Sequence, residues 1–261
     1  MLYNARNYRK KKGAIMKMKL SLLAATAILT IGMTGCWSEN APTTQEALTV
    51  AKALDGYLLG ANVCVDTDGN ESTCEYTTET NSTTGEYKIP SPYNVVTNKV
   101  IISGGIDQDT NAPFIGVLKS TANLKVATPL TTLLADGMTA AEIAQLTGLS
   151  IANITTDYRD GTFDTTDALV NTAALKVQTI LSQITALFSA AGTTKSPAEI
   201  TKAAVDAINT TLGTSTTTTL SNLNLTTVVT AVITAIPTTN PITASTVANA
   251  ITASIDRKSV V

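Results

Sequence analysis

The stretch NVCVDTDGN, residues 62–70, joins a short run of β-branched residues to a group of Asp, Gly and Asn residues. Such a run favours an extended strand, whereas Asp, Gly and Asn favour a tight turn. Similar short runs follow at 85–90, 99–102 and 114–118. No helical pattern long enough for a parallel crossover separates them. The region from about 55 to 125 is therefore expected to form an antiparallel β-sandwich.

After residue 125 the pattern becomes helical. Thr128-Pro129 predicts the start of a short helix, and Thr139 with Glu142 forms a capping box for a second. Longer amphipathic helices are expected over about 165–190, from Ser196-Pro197 onward, over 225–236 and over 242–255. We expect these helices to pack as an antiparallel bundle. The predicted fold class is α+β, with an N-terminal antiparallel β-sandwich followed by a C-terminal α-helical bundle.

The first 35 residues have the composition of an export signal. They hold seven of the 18 Lys and Arg residues, all before Leu20, and none of the 20 Asp and Glu residues. The mainly apolar run 20–33 that follows is shorter than the roughly 20 residues that cross a bilayer. The quartet Met33-Thr34-Gly35-Cys36 resembles the lipobox of bacterial lipoproteins. That resemblance implies that the signal is removed before Cys36, which then carries covalent lipid; the alternative is an ordinary cysteine after a standard signal peptide or membrane anchor.

Four segments are predicted on this basis. They are a lipoprotein signal peptide (1–35), a lipidated tether (36–46), a β-sandwich module (47–125) and a helical domain (126–258). Trp37 follows the cysteine, where lipoproteins retained in the inner membrane have Asp. The expected location is therefore the cell envelope, with the protein lipid-anchored at the outer membrane or the cell surface.

Without the signal, the chain has a negative net charge. Eleven basic and 20 acidic residues give the rest of the chain a net charge of −9. An acidic body argues against nucleic acid as a partner and is compatible with divalent cations. The chain contains no His, which excludes a catalytic triad, a His metal site and a His pH switch.

Two cysteines, Cys64 and Cys74, remain once Cys36 is assigned to lipid. Exported proteins are oxidised by default, so we expect a disulfide between them; two free thiols are the alternative.

Inside that loop, oxygen-bearing side chains alternate at Asp66, Asp68 and Asn70. This spacing resembles the first half of an EF-hand loop and would let the three side chains converge on Ca²⁺. The match then fails, because Glu71 stands where Gly is needed and Thr77 where a bidentate carboxylate is needed. Glu75 or Glu79 would have to supply the later ligand. The candidate metal ligands are thus Asp66, Asp68, Asn70 and Glu75, and the alternative is a solvated acidic turn.

The residues from 56 to 70, followed by Thr83-Thr84-Gly85-Glu86-Tyr87, resemble the carboxypeptidase-regulatory-like (transthyretin-like) β-sandwich modules of bacterial surface proteins and lipoproteins. The resemblance covers roughly 55–150. It implies a sandwich fold, a loop that often binds calcium, and a module that is not itself a peptidase. Only Asp66, Asp68 and Asn70 match the metal loop of those modules.

The sequence therefore predicts a non-enzymatic, lipid-anchored surface protein with a binding, adhesion or scaffolding role toward a surface protein or glycan. Threonine accounts for 48 of the 261 residues, which suits extracellular β-structure and loosely packed helices better than a dense enzyme core. One alternative is an envelope glycan hydrolase that uses a carboxylate pair. Another is a subunit of a larger surface assembly that pairs through an exposed strand edge. The acidic residues at 157–164 favour a loop that enters the long helix, with Asp164 or Thr165 as its cap, over a second metal loop.

Overall fold

The computed structural model describes residues 48–161, 164–213 and 216–258. The predicted signal peptide, Cys36 and nearly all of the predicted tether lie outside these residues. The described strands come first along the chain and the helices follow, so the predicted α+β class is confirmed.

Ten short strands make up the first half of the described chain. They are β1 Leu48–Ala53, β2 Leu58–Leu59, β3 Asn62–Asp66, β4 Tyr76–Glu79, β5 Glu86–Pro90, β6 Lys99–Ser103, β7 Ile106–Asp107, β8 Ala112–Pro113, β9 Val117–Thr121 and β10 Val126–Ala127. A four-stranded sheet has the order β4-β3-β6-β9, and two three-stranded sheets have the orders β10-β1-β5 and β2-β7-β8. Every pairing between these strands is antiparallel except β1 with β10, which is parallel.

The four-stranded sheet has two different faces, because successive side chains on a strand point in opposite directions. On one face, Val63, Val65 and Ile102 are buried in a core that also contains Ala51 and Tyr87 of the β10-β1-β5 sheet. The two sheets that enclose this shared core form the sandwich. The opposite face carries the alternate residues of the same strands.

Those alternate residues lie beneath the helices. Cys64, Ile101 and Val117 form a small apolar cluster with Ala198, which belongs to the first turn of a later helix. Lys119 is directly opposite Ile101 in the register of β6 and β9, so it shares this face. The four-stranded sheet is therefore covered on both sides.

Seven helices follow the strands in the described chain. They are α1 Pro129–Ala135, α2 Ala140–Thr147, α3 Ile151–Ile154, α4 Thr165–Ala190, α5 Pro197–Gly213, α6 Leu225–Ala235 and α7 Ala244–Lys258. The apolar stripes of α4, α5 and α6 meet in a large core that α7 also joins through Val247 and Ile251. The predicted capping residues begin their helices: Thr128 caps α1, Thr139 caps α2 and Asp164 caps α4.

Helix α1 attaches the helical part to the sheet through threonine hydroxyls. The Lys119 amide donates to Thr132 Oγ1 at 2.8 Å, and Thr131 Oγ1 donates to the Lys119 carbonyl at 2.8 Å. Both threonines are fully buried. Strand β10 begins directly after the predicted boundary between residues 125 and 126, and it pairs with β1, which lies before that boundary. The residues on both sides of the boundary belong to one compact unit.

Several elements differ from the sequence prediction. The strand expected at 114–118 begins at Val117, because Gly116 has a φ of +145° that breaks the extended chain. The short strands β1, β4, β7, β8 and β10 and the single-turn helix α3 were not predicted. None of the helices in the described residues is both long enough and apolar enough to cross a membrane.

Candidate functional site

A disulfide closes the loop between β3 and β4. Cys64 and Cys74 are bonded, as predicted, with their Cα atoms 5.3 Å apart. Cys64 lies within β3, whereas Cys74 lies just before β4. The bond therefore ties the far end of the loop to the central part of the sheet.

Three carboxylates of this loop come together. One oxygen from each of Asp66, Asp68 and Glu75 lies within 4.8 Å of the other two, a spacing that could hold a metal ion. Asp66 is the last residue of β3 and is only 2% exposed, while Asp68 and Glu75 are exposed. The structure thus brings together three of the four predicted ligands.

The two oxygens of Asp66 have different surroundings. Oδ1 accepts hydrogen bonds from the backbone amides of Asp68 at 3.1 Å and Gly69 at 2.7 Å. Oδ2 is buried and receives no hydrogen bond from the residues that the structure describes. A buried carboxylate oxygen without a donor is costly, so Oδ2 is the atom of this loop that would gain most from a cation.

Asn70, the fourth predicted ligand, is engaged elsewhere. Its Oδ1 accepts hydrogen bonds from the backbone amide and the hydroxyl of Ser72. The sharp turn occurs at Gly69, whose φ is +82°, two residues before the position where an EF-hand loop needs Gly. Glu71 can therefore occupy its position without the left-handed backbone that the EF-hand pattern would impose.

Glu71 is not one of the three converging carboxylates; it belongs to an ion cluster under the helices, which the sequence did not predict. The ion cluster consists of Glu71, Lys99, Lys119 and Asp136. Lys119 Nζ lies 2.7 Å from Glu71 Oε2 and donates to Asp136 Oδ1 at 3.0 Å. Lys99 Nζ binds Glu71 Oε1 and lies 3.1 Å from Asp136 Oδ1. Two positive and two negative charges thus lie together, and the Lys99 side chain is the most exposed of the four.

The depth of the ion cluster is unusual for charged residues. The side chains of Lys119 and Asp136 are 0% exposed and that of Glu71 is 7% exposed. Lys119 Nζ also donates to the carbonyl of Ala198 at 2.8 Å, so all three ammonium protons have an acceptor. The ion cluster therefore joins the disulfide-closed loop, β6, β9, the end of α1 and the first turn of α5.

The pKa values in the ion cluster follow from burial and charge. Burial by itself raises the pKa of Glu71, but the charges and hydrogen bonds of Lys119 and Lys99 outweigh it and hold the pKa below its ordinary value of 4.5. For Lys99, burial alone lowers the pKa, but Asp136 and Glu71 outweigh burial and raise it. Burial raises the pKa of Asp136, and the neighbouring lysines offset only part of that rise.

The one sequence signal for the ion cluster is a lysine inside the apolar strand sequence Val117-Leu118-Lys119. A lysine in such a strand is usually read as facing water. Here it faces inward, because helices cover the second face of the sheet. This packing involves residues up to 79 positions apart, which a local pattern cannot reveal.

The second acidic segment, at 157–164, has structural roles. Asp157 accepts a hydrogen bond from Lys52 Nζ at 3.1 Å and from the Tyr57 hydroxyl at 3.3 Å. Asp164 Oδ1 accepts from the amides of Thr166 and Asp167 and caps α4. The interpretation as a helix-capping loop is therefore confirmed for Asp164.

No protein-family model matches this chain, and neither a curated protein nor a solved structure is significantly similar to it.

Proposed function

We propose that this protein is a lipid-anchored protein of the cell envelope or cell surface with a non-catalytic binding, adhesion or scaffolding role. The N-terminal pattern supports the anchor: basic residues without acidic ones, an apolar run and the quartet ending in Cys36. Lipid on Cys36 would hold the folded body at the outer membrane or cell surface. The body would then meet a surface protein or a glycan.

The folded body would contain a Ca²⁺ site formed by Asp66, Asp68 and Glu75. The observation that carries this proposal is the buried Asp66 Oδ2, which lacks a donor among the described residues and belongs to three converging carboxylates. Ca²⁺ prefers oxygen ligands and takes six to eight of them, so water would complete the shell. The bound ion would fix the loop that the disulfide closes.

Metabolic labelling with an alkyne analogue of palmitate tests the anchor. The wild-type protein should incorporate the label, and Cys36→Ser should not. The double variant Cys64→Ser/Cys74→Ser is the matched control and should be labelled as the wild type is. Label on the Cys36→Ser protein, or an unlabelled wild type, would contradict the anchor.

Calorimetric titration with Ca²⁺ tests the cation site directly. Asp66→Asn keeps the shape of the side chain and removes the charge, so it should abolish the binding heat. Asp107→Asn is the control, because Asp107 also accepts from a turn amide, that of Asp109, outside the loop. Equal binding by the wild type and Asp66→Asn would place any bound Ca²⁺ elsewhere.

A further inference from the structure

The ammonium nitrogen of Lys119 lies against the carboxyl group of Asp136. Nζ is 3.0 Å from Oδ1 and 2.9 Å from Oδ2, so it is almost equidistant from the two oxygens bonded to Cγ. Both side chains are fully buried. Reacting atoms held at about 3–3.5 Å in a fixed orientation can gain many orders of magnitude in effective concentration.

We propose that Lys119 and Asp136 become joined by an amide bond between Nζ and Cγ after the chain folds. This inference does not rest on the lipid anchor or on the Ca²⁺ site. It assigns a covalent modification to a pair of residues that otherwise form a buried ion pair.

The reaction needs no reactant from outside the protein. A proton moves from the Lys119 ammonium to the Asp136 carboxylate, which gives a neutral amine and a neutral acid. The nitrogen lone pair then attacks Cγ and the C–N bond forms. A second proton leaves Nζ and reaches the hydroxyl oxygen on Cγ, the C–O bond breaks, and one water molecule departs. The product is a secondary amide.

Burial favours the first step. Removing two charges from water is costly, and the neutral pair avoids part of that cost. In agreement with this, burial raises the pKa of Asp136 despite the nearby lysines. The amide product carries no charge, so it removes two buried charges while leaving the Glu71 and Lys99 pair intact.

Glu71 is placed to carry the second proton. Its Oε2 accepts a hydrogen bond from Lys119 Nζ at 2.7 Å, so it can take the proton as the C–N bond forms and return it to the departing hydroxyl. The Ala198 carbonyl, at 2.8 Å from Nζ, orients the amine from another side.

Lys99 is the less suitable nucleophile of the two lysines. Its side chain is 22% exposed, whereas that of Lys119 is 0% exposed. Contact with water favours the charged ammonium, and the pKa of Lys99 is raised by its acidic neighbours. We therefore assign the bond to Lys119 and use Lys99 as the control.

Peptide mapping of the full-length protein, denatured and reduced, tests the proposal. Trypsin does not cleave after an acylated lysine, so the bond predicts that segment 100–125 stays uncut at Lys119 and is linked to segment 126–159. The linked species should be lighter than the two separate segments by one water molecule. Fragment spectra should place the link at Lys119 and Asp136. Recovery of unlinked peptides cleaved after Lys119 from the folded wild type would overturn the proposal.

Two variants sharpen this test, with circular dichroism used to confirm folding. Glu71→Gln should slow formation of the linked species by about 100-fold or more, because the proton carrier is lost. Lys99→Arg keeps the positive charge and should leave the link in place. If Glu71→Gln became linked as fast as the wild type, the role of Glu71 would be wrong. If Lys99→Arg abolished the link, the assignment to Lys119 would be wrong.

Discussion

Lys119 shows at the scale of one residue how this fold accommodates a buried charge. Its ammonium lies where its side chain has no exposed surface, and Glu71, Asp136 and the Ala198 carbonyl accept its three protons. Removing one partner from such a group leaves the others buried and uncompensated, which costs more than the intact group contributes.

Lys119→Met removes the ammonium, and with it the proposed bond to Asp136, so it should lower the free energy of unfolding by at least about 3–5 kcal/mol. Urea denaturation of the wild type and the variant would measure the difference. Lys202→Met is the matched control, because its ion pair with Asp206 is exposed on both sides and should change stability by less than about 1 kcal/mol. Equal effects of the two substitutions would mean that burial of the ion cluster contributes nothing.

Glu71 predicts a pH dependence of stability. Its pKa is lower in the folded protein than the ordinary 4.5, so its contribution is fully present above pH 4.5 and is lost as the pH falls through the folded pKa. While it is not joined to Lys119, Asp136 has a raised pKa and acts in the opposite sense, so the wild-type profile alone mixes the two groups.

Comparison of the wild type with Glu71→Gln separates them, provided that peptide mapping finds the Lys119–Asp136 pair in the same state, linked or unlinked, in both proteins. The variant should be less stable at pH 7, and the gap in free energy of unfolding between the two proteins should narrow as the pH falls below about 4.5. Denaturation in the presence of a chelator at a series of pH values would measure this gap. A gap that is constant or widens toward low pH would contradict the assigned direction of the pKa.

At the scale of one element, the loop between β3 and β4 is held in three ways. The Cys64–Cys74 bond ties its end to the sheet, Asp66 Oδ1 accepts two of its amides, and Glu71 reaches the ion cluster. The loop is thereby ordered enough to hold three carboxylates close together.

Reduction of the disulfide should destabilise the fold. A closed loop of about 10 residues contributes on the order of 2–3 kcal/mol by restricting the unfolded chain. Urea denaturation of the wild type and of Cys64→Ser/Cys74→Ser would report this difference. Unchanged stability in the double variant would mean that the bond does not restrict the unfolded chain as expected.

The sequence predicted correctly those helix starts that are set by the side chains next to them. The caps Thr128, Thr139 and Asp164 begin α1, α2 and α4, because a side-chain oxygen next to a helical run satisfies amides of the first turn. Strand β4 was missed because its sequence, Tyr-Thr-Thr-Glu at 76–79, is largely polar, whereas β10 was missed because its partner β1 lies far earlier in the chain. The β-sheet register is a nonlocal property that short runs do not encode.

For the candidate site, the predicted disulfide is present, and three of the four predicted metal ligands lie close together. It did not distinguish Asn70, whose oxygen binds Ser72, from Asp66, whose Oδ2 is buried without a donor among the described residues. It missed the ion cluster entirely. Lys119 and Asp136 come together only when α1 packs on β9, and the Ala198 carbonyl arrives from a helix much later in the chain.

At the scale of the whole molecule, the four-stranded sheet lies between the β10-β1-β5 sheet and the helices α1 and α5. One face of that sheet contacts β1 and β5, and the other contacts α1 and α5. The loop with the three carboxylates extends from this sheet, and its residue Glu71 belongs to the ion cluster between sheet and helices. A cation bound to the loop should therefore stabilise the whole folded body and not the loop alone.

The thermal midpoint of a non-reduced, soluble form of the chain beginning at Ser38 tests this most directly, measured with Ca²⁺ and with a chelator at one pH. At about 100 times the dissociation constant, a ligand bound only by the folded state adds about 2.7 kcal/mol, which corresponds to a rise of roughly 5–10 °C for a body of this size. We expect that rise in the wild type and its loss in Asp66→Asn. The same midpoint with Ca²⁺ and with chelator would contradict the Ca²⁺ site and leave Asp66, Asp68 and Glu75 as turn residues of a disulfide-closed loop.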